Sequence, residues 1–178
     1  MIESIKSLNF AMPKAYKLLI CIIFWGLTPL KSQKMRVEVY LAHDCPISIA
    51  QMPYLREAEK EGGEAAEFIY FFPLATAKME VSEQFLKAHK LKGQIRLDSA
   101  LFYAHLRNAR VVPEVFVFDD SNRLAYRGSI SNAFYDLGKR RRKGIENHLS
   151  QAILTLKNHL SPQPSETEAW GCLIPKAP

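Results

Sequence analysis

The chain has 178 residues, 48% hydrophobic and 24% charged, with a formal net charge of +6. That is enough apolar chain for one globular domain with a buried core, and no internal repeat or long low-complexity tract interrupts it. The positive charge favours acidic partners but falls short of a nucleic-acid-binding signature.

Lys14 and Lys17 precede an apolar run, Leu18 to Leu27, which ends at Thr28-Pro29 and small or polar Ser32-Gln33. A positive segment, an apolar stretch of about ten residues and a small residue near the end predict a secretory signal peptide over residues 1–33. Met12 is an alternative start. The run is short for a membrane span, which needs about 20 apolar residues, so membrane contact is expected only through this segment if it stays uncleaved. The reading implies an exported protein, periplasmic or extracellular. Cys21 lies inside the run, and cleavage would leave two cysteines, Cys45 and Cys172. Two thiols in an exported protein invite a disulfide, provided the C-terminal tail returns to Cys45.

Residues 36–42 alternate and read as a strand. A helix is predicted over 46–61, with Pro53 inside it and Gly62-Gly63 ending it. Residues 67–72 are continuously apolar, as in a strand buried on both faces. A helix follows over 80–89, then a short strand at 95–97. Asp98 or Ser99 can cap the next helix, 100–108, whose apolar face is read as Leu101, Phe102 and Leu106. Residues 111–118 read as a strand with Pro113 near its start, followed by a turn at 119–122 and a return strand at 123–128. A final amphipathic helix is predicted over 144–160, bearing Ile145, Leu149, Ile153, Leu156 and Leu160. The tail, 161–178, is polar and proline-rich, but its apolar Trp170-Gly171-Cys172-Leu173-Ile174 cluster suggests docking on the body. The domain is therefore expected at 34–160, as a three-layer α/β sandwich with a mixed sheet.

Cys45 ends the first strand and precedes Pro46, a residue suited to the first turn of a helix. Unpaired backbone N–H groups and the positive end of the helix dipole would face its sulfur and favour thiolate. A buried inert cysteine is the competing reading. His43, if protonated, would add to the stabilisation, and Asp44 would oppose it unless solvated. Lys139-Arg140-Arg141-Arg142-Lys143 reads as a solvated approach to the last helix, or as a surface for an acidic partner. His89, His105, His148 and His159 show no metal-ligand spacing. There is no glycine-rich phosphate loop and no defensible Ser/His/Asp arrangement, so no metal and no cofactor are expected.

This order of elements, with His43-Asp44-Cys45-Pro46-Ile47-Ser48 at the first strand–helix junction and Val112-Pro113-Glu114 opening the hairpin, resembles the thioredoxin-like superfamily. The extra strand and helix between Cys45 and Pro113 resemble its redoxin branch, which includes alkyl hydroperoxide reductase/thiol-specific antioxidant proteins. Asp44–Ser48, Pro113–Phe116, Tyr126–Ile130, Gly138–Arg141 and Gly171–Ile174 are similar to stretches of exported redoxin-domain proteins. The resemblance implies a cis Val112–Pro113 bond facing Cys45. It implies Cys45 as nucleophile, and a substrate groove formed by Pro113 and Val112 with Pro46, Ser48 and His43. An extended chain would bind that groove by strand addition. Glu114 is read as groove rim. The implied partners are thiols and disulfides, in proteins or small molecules.

Two departures leave the function open. Ser48 stands where the usual motif has its second cysteine, so either Cys45 works as a monothiol or Cys172 resolves it from the tail. Ala42 stands where peroxiredoxins carry a hydroxyl residue, which weighs against a thiol peroxidase. A disulfide oxidoreductase is the leading expectation. A peroxidase and a redox-inert binding module, in which any Cys45–Cys172 bridge is purely structural, remain alternatives.

Overall fold

The computed structural model describes residues 33–74 and 77–175. The expected signal peptide falls, but for Gln33, outside the described residues. Among the described residues no helix is long and apolar enough to cross a membrane.

Five strands form the central sheet: β1 (Met35–Tyr40), β2 (Ala66–Phe72), β3 (Gln94–Leu97), β5 (Glu114–Phe118) and β6 (Leu124–Gly128), in the order β3-β2-β1-β5-β6. The first three run parallel, and β5 and β6 are antiparallel to their neighbours. The helices are α1 (Pro46–Gly62), α2 (Met79–Ala88), α3 (Phe102–Arg107) and α4 (His148–Lys157). Four strands of two or three residues complete the fold around the sheet: β7 (Phe134–Asp136) pairs with β8 (Lys139–Arg140), and β4 (Val111–Val112) pairs with β9 (Cys172–Leu173).

Strand alternation sorts the core into two layers. Val37, Val39, Phe68, Tyr70, Val115 and Val117 face one side, where Met52 and Leu55 of α1, Leu86 of α2 and Leu149 and Ile153 of α4 cover them. Tyr40, Phe71, Phe116 and Phe118 face the other, against Ala104 of α3 and Ile174 of the tail. Glu38 also points to this second side. It is buried there because Arg107 closes on it with two bonds, Nε to Oε2 at 2.7 Å and Nη2 to Oε1 at 2.9 Å, and Arg36 adds a third contact.

Most predicted elements appear close to their expected bounds, and three differ. Helix α3 is shorter than predicted and buries Ala104. Phe102 and Leu106, the expected apolar face, are 62% and 57% exposed. Leu101, not Asp98, is the N-cap residue, but the Asp98 carboxylate still accepts from the backbone N–H groups of Tyr103 at 3.1 Å and Ala104 at 2.8 Å. Helix α4 starts only at His148, because the Asn147 side chain accepts from Ser150 N and sets the N-cap there. It stops at Lys157, leaving Leu160 outside. The strand predicted over 111–118 breaks at Pro113, which lacks the N–H needed to continue a ladder.

Candidate functional site

Backbone chemistry at the end of β1 builds the first half of the site. Leu41 N donates to Phe71 O at 2.8 Å and carries the parallel pairing one residue past the strand. The chain then turns, and Cys45 N donates to Ala42 O at 3.3 Å. Cys45 is extended, with φ −85°, and is the N-cap of α1, while Pro46 takes the first helical position. Its carbonyl accepts the first helical bond, from Ile49 N at 3.0 Å. The sequence expectation of a thiol at a helix start therefore holds. The Cys45 side chain receives no capping hydrogen bond, and the residue is only 2% exposed.

The second half comes from the segment before β5. The Val112–Pro113 bond is cis. The Val112 carbonyl oxygen lies 3.2 Å from Cys45 Sγ. Glu114 follows, fully buried rather than at a groove rim. Its carboxylate accepts from Arg110 N at 2.7 Å and from Arg127 Nη2 at 3.1 Å. The Arg127 guanidinium also stacks on Phe116, 5.0 Å from the ring centroid. This ion pair braces the turn that presents Val112 to the cysteine.

The third part is the tail, which returns across the body. Cys172 is bonded to Cys45 in a disulfide, with Cα atoms 6.2 Å apart across 127 residues of sequence. Cys172 pairs opposite Val112 and Leu173 opposite Val111, antiparallel, and Ile174 N donates to Arg110 O at 3.0 Å. Gly171 is required here, because a Cβ on it would run into the Val112 carbonyl. Leu173 projects into solvent at 81% exposure, whereas Ile174 is buried in the same apolar cluster as Cys45 and Val112.

Further back, the tail attaches to β6. Arg127 N donates to Ser165 O at 3.0 Å, and Thr167 N donates to Arg127 O at 3.0 Å. The Thr167 hydroxyl meets the Tyr126 hydroxyl at 2.6 Å, accepts from Ser129 N at 3.1 Å and contacts Ser129 Oγ at 3.1 Å. Ser129 Oγ lies 2.9 Å from His148 Nδ1. Burial pushes the Tyr126 phenol up to about 12, so it stays a neutral donor to Ser129 O at 2.7 Å. Burial lowers the His148 pKa, partly offset by the Glu146 carboxylate.

The remaining sequence candidates take simpler positions. Ser48 is buried under the turn, its Oγ accepting from Ala42 N at 3.5 Å. His43 Nδ1 stands 3.6 Å from the largely solvated Asp44 carboxylate. Pro46 is exposed beside Cys45. Residues Lys139–Lys143 are all exposed. They do not simply lead into α4, because Lys139 and Arg140 form β8. Lys139 Nζ pairs with Asp136 Oδ2 at 2.6 Å, and Arg141 covers the Tyr135 ring. Among the described residues no cluster of His, Cys, Asp and Glu could hold a metal ion.

Sequence reasoning missed two polar pairs. Gln51 and Ser131 are buried and bond each other, Ser131 Oγ donating to Gln51 Oε1 at 2.6 Å. Arg127 pairs with Glu114 because the β5–β6 register sets Phe116 opposite Arg127. A glutamate and an arginine two apart across a hairpin are the only trace of that pair in the sequence.

No family model matches this sequence, and no curated protein matches it. Solved structures do resemble the fold. A hypothetical protein of Sinorhizobium meliloti has a TM-score of 0.67 at 17% identity, covering 81% of this chain and 80% of its own. An uncharacterized conserved protein of Geobacillus kaustophilus has a TM-score of 0.64 at 18% identity, with coverage of 85% and 82%. MTB dsbF, whose structure contains mixed oxidized and reduced forms, has a TM-score of 0.52 at 14% identity, with coverage of 70% and 81%. These identities speak to the fold alone. The chain has the thioredoxin-like fold, a three-layer α/β/α sandwich with a central mixed sheet, as its motif order implied.

Proposed function

We propose that this chain is a thiol–disulfide oxidoreductase with Cys45 as nucleophile and Cys172 as resolving cysteine. The observation that carries the reading is the Cys45–Cys172 disulfide seated against the Val112 carbonyl. A tail cysteine there supplies what Ser48 denies the motif. A thiolate at Cys45 would attack a substrate disulfide, forming a mixed disulfide and releasing one thiolate. Cys172 would then attack Cys45 Sγ, release the second substrate sulfur and close the bridge seen here.

Two neighbours tune Cys45 in opposite directions once it is reduced. The start of α1 favours thiolate, through the helix dipole and its unpaired N–H groups. The Val112 carbonyl oxygen favours thiol, because it can accept from S–H and repels S⁻. Alkylation of reduced protein with iodoacetamide across a pH series tests the balance. The reading expects Cys45 to react at lower pH than a free cysteine peptide, and an ordinary thiol profile would count against it.

The N-terminal apolar run and the disulfide together support an exported, periplasmic or extracellular protein, because reducing compartments disfavour stable bridges. Its partners would be thiols and disulfides. The exposed Arg140, Arg142 and Lys143 support an acidic partner at that surface. One observation favours a second reading. Cys45 is almost fully buried beneath the tail, as a purely structural bridge in an inert binding module would be. Ala42 offers no hydroxyl to a peroxidatic sulfur, so rapid oxidation of Cys45 by peroxide in stopped flow would overturn this ranking in favour of a peroxidase.

A further inference from the structure

The segment bonded to Cys45 does more than deliver a sulfur. It lies as an added strand on Val111–Val112, seats Gly171 against the Val112 carbonyl and buries Ile174 beside Cys45. Only Leu173, between the two inward positions, faces solvent. This is the geometry of a cysteine-containing peptide captured as a mixed disulfide on a strand edge, except that the peptide belongs to the same chain. A sulfur delivered on a loose tether would need no ladder bond from Ile174 to Arg110, no glycine at 171 and no buried side chain at 174. We propose that residues 171–174 are a tethered copy of the substrate. Tail and partner chain would occupy the Val111–Val112 edge in alternation, and the preferred partner would be an extended segment reading glycine, cysteine, any residue, aliphatic residue.

The proposal rests on the oxidoreductase reading and deepens it. The exchange step starts from the bridged protein. A partner thiolate attacks Cys45 Sγ, a new S–S bond forms, and the Cys45–Cys172 bond breaks. Cys172 leaves as a thiolate and takes up a proton, so one disulfide replaces another and no external oxidant is needed. With its covalent hold gone, segment 171–174 lifts and the partner segment takes its place against Val112. The attachment at Ser165–Thr167 does not depend on the bridge, so the lifted segment stays tethered nearby. Its effective concentration is of order mM, enough to return, expel the partner segment and re-form the bridge.

The test uses the full chain with Cys172→Ser, alone and combined with Ile174→Asp to unseat the tail. Gly171→Val with Cys172→Ser is a second unseated variant, in case Asp at 174 perturbs folding. Each protein is mixed with two peptides bearing thionitrobenzoate on the cysteine: Ala-Trp-Gly-Cys-Leu-Ile-Pro and the same residues in reverse order. A small aromatic disulfide serves as the reference. The expected result is that the unseated proteins react about tenfold faster with the forward peptide than with the reversed one, and that the tail narrows this gap in Cys172→Ser alone. If both peptides react alike in every variant while the small disulfide consumes Cys45, the substrate-copy proposal is overturned and the oxidoreductase reading stands. If the small disulfide also leaves Cys45 untouched, both fall.

Discussion

The tail is fastened to the body at two places, and the two fastenings differ in kind. At β6, residues 165–167 are held by backbone pairing with Arg127 and by the hydroxyl cluster of Thr167, Tyr126 and Ser129. Nothing there responds to redox conditions. At β4, residues 172–174 are held by one covalent bond, two residues of ladder and one buried isoleucine. A short two-stranded ladder is marginal alone, so this second fastening depends on the bridge. If Cys172 is the resolving cysteine proposed above, this contrast would keep it close to Cys45 and still allow its release. On that proposal the first site would fix the tether and the second would hold the part that moves.

The largest expected effect comes from breaking the covalent fastening. Reduction should lower unfolding stability by up to about 5 kcal/mol, the loop-closure contribution of so long a cross-linked loop. Hydrogen exchange should then show Ile174 N losing protection while Thr167 N keeps it. Equal loss at both sites would remove the distinction between them. Arg127→Ala should cost about 3 kcal/mol in chemical denaturation, because it strands the buried Glu114 carboxylate and removes the side chain that faces Glu166. A cost near zero would show that Glu114 is satisfied by the Arg110 and Val111 N–H groups alone. Thr167→Val should cost about 1 to 2 kcal/mol, since it leaves Tyr126 and Ser129 without a shared partner. It should loosen the β6 fastening and slow re-closure of the bridge after reduction, read by quenched alkylation.

The smallest effect concerns pH. Burial lowers the folded pKa of His148 below its unfolded value of about 6.5, so the unfolded chain takes up the proton first as pH falls. Its contribution is thus fully present above about pH 6.5 and is lost as pH falls through the lowered folded value. His148→Gln should flatten that part of the stability profile, and an unchanged slope would place the titration elsewhere.

Much of this was legible in the sequence, for reasons that also mark where legibility stopped. The β1–Cys45–Pro46 junction could be read because strand alternation, a helix-start proline and a capping position lie within a dozen residues. The buried run at 67–72 was a similarly local signal, whereas the Cys45–Cys172 pairing, across 127 residues, could be raised only as an invitation. Helix α3 was misread because six residues contain too few turns for periodicity to choose a face. The bonds from Asp98 to the start of the helix were legible, while its N-cap at Leu101 and the outward turn of Phe102 and Leu106 were not. The cation run at 139–143 hid a hairpin strand, since charge masked the pairing of Lys139 with Asp136. Glu114 was placed at a rim because its partner Arg127 is reached only through sheet register. The apolar cluster at 170–174 signalled that the tail docks on the body, but not that it pairs with Val111–Val112. Gly171 and Ile174 carry their meaning only once the tail is laid on that edge.

The central claim is that the Cys45–Cys172 bridge is opened and closed in use. It is tested most directly by equilibrating the full chain in graded glutathione and dithiothreitol redox buffers, trapping by acid alkylation and measuring the bridged fraction by mass. The account predicts a midpoint more oxidising than about −300 mV, within reach of biological thiol couples. A midpoint below that value, with a bridge that resists the glutathione series, would contradict it and mark the disulfide as a structural staple.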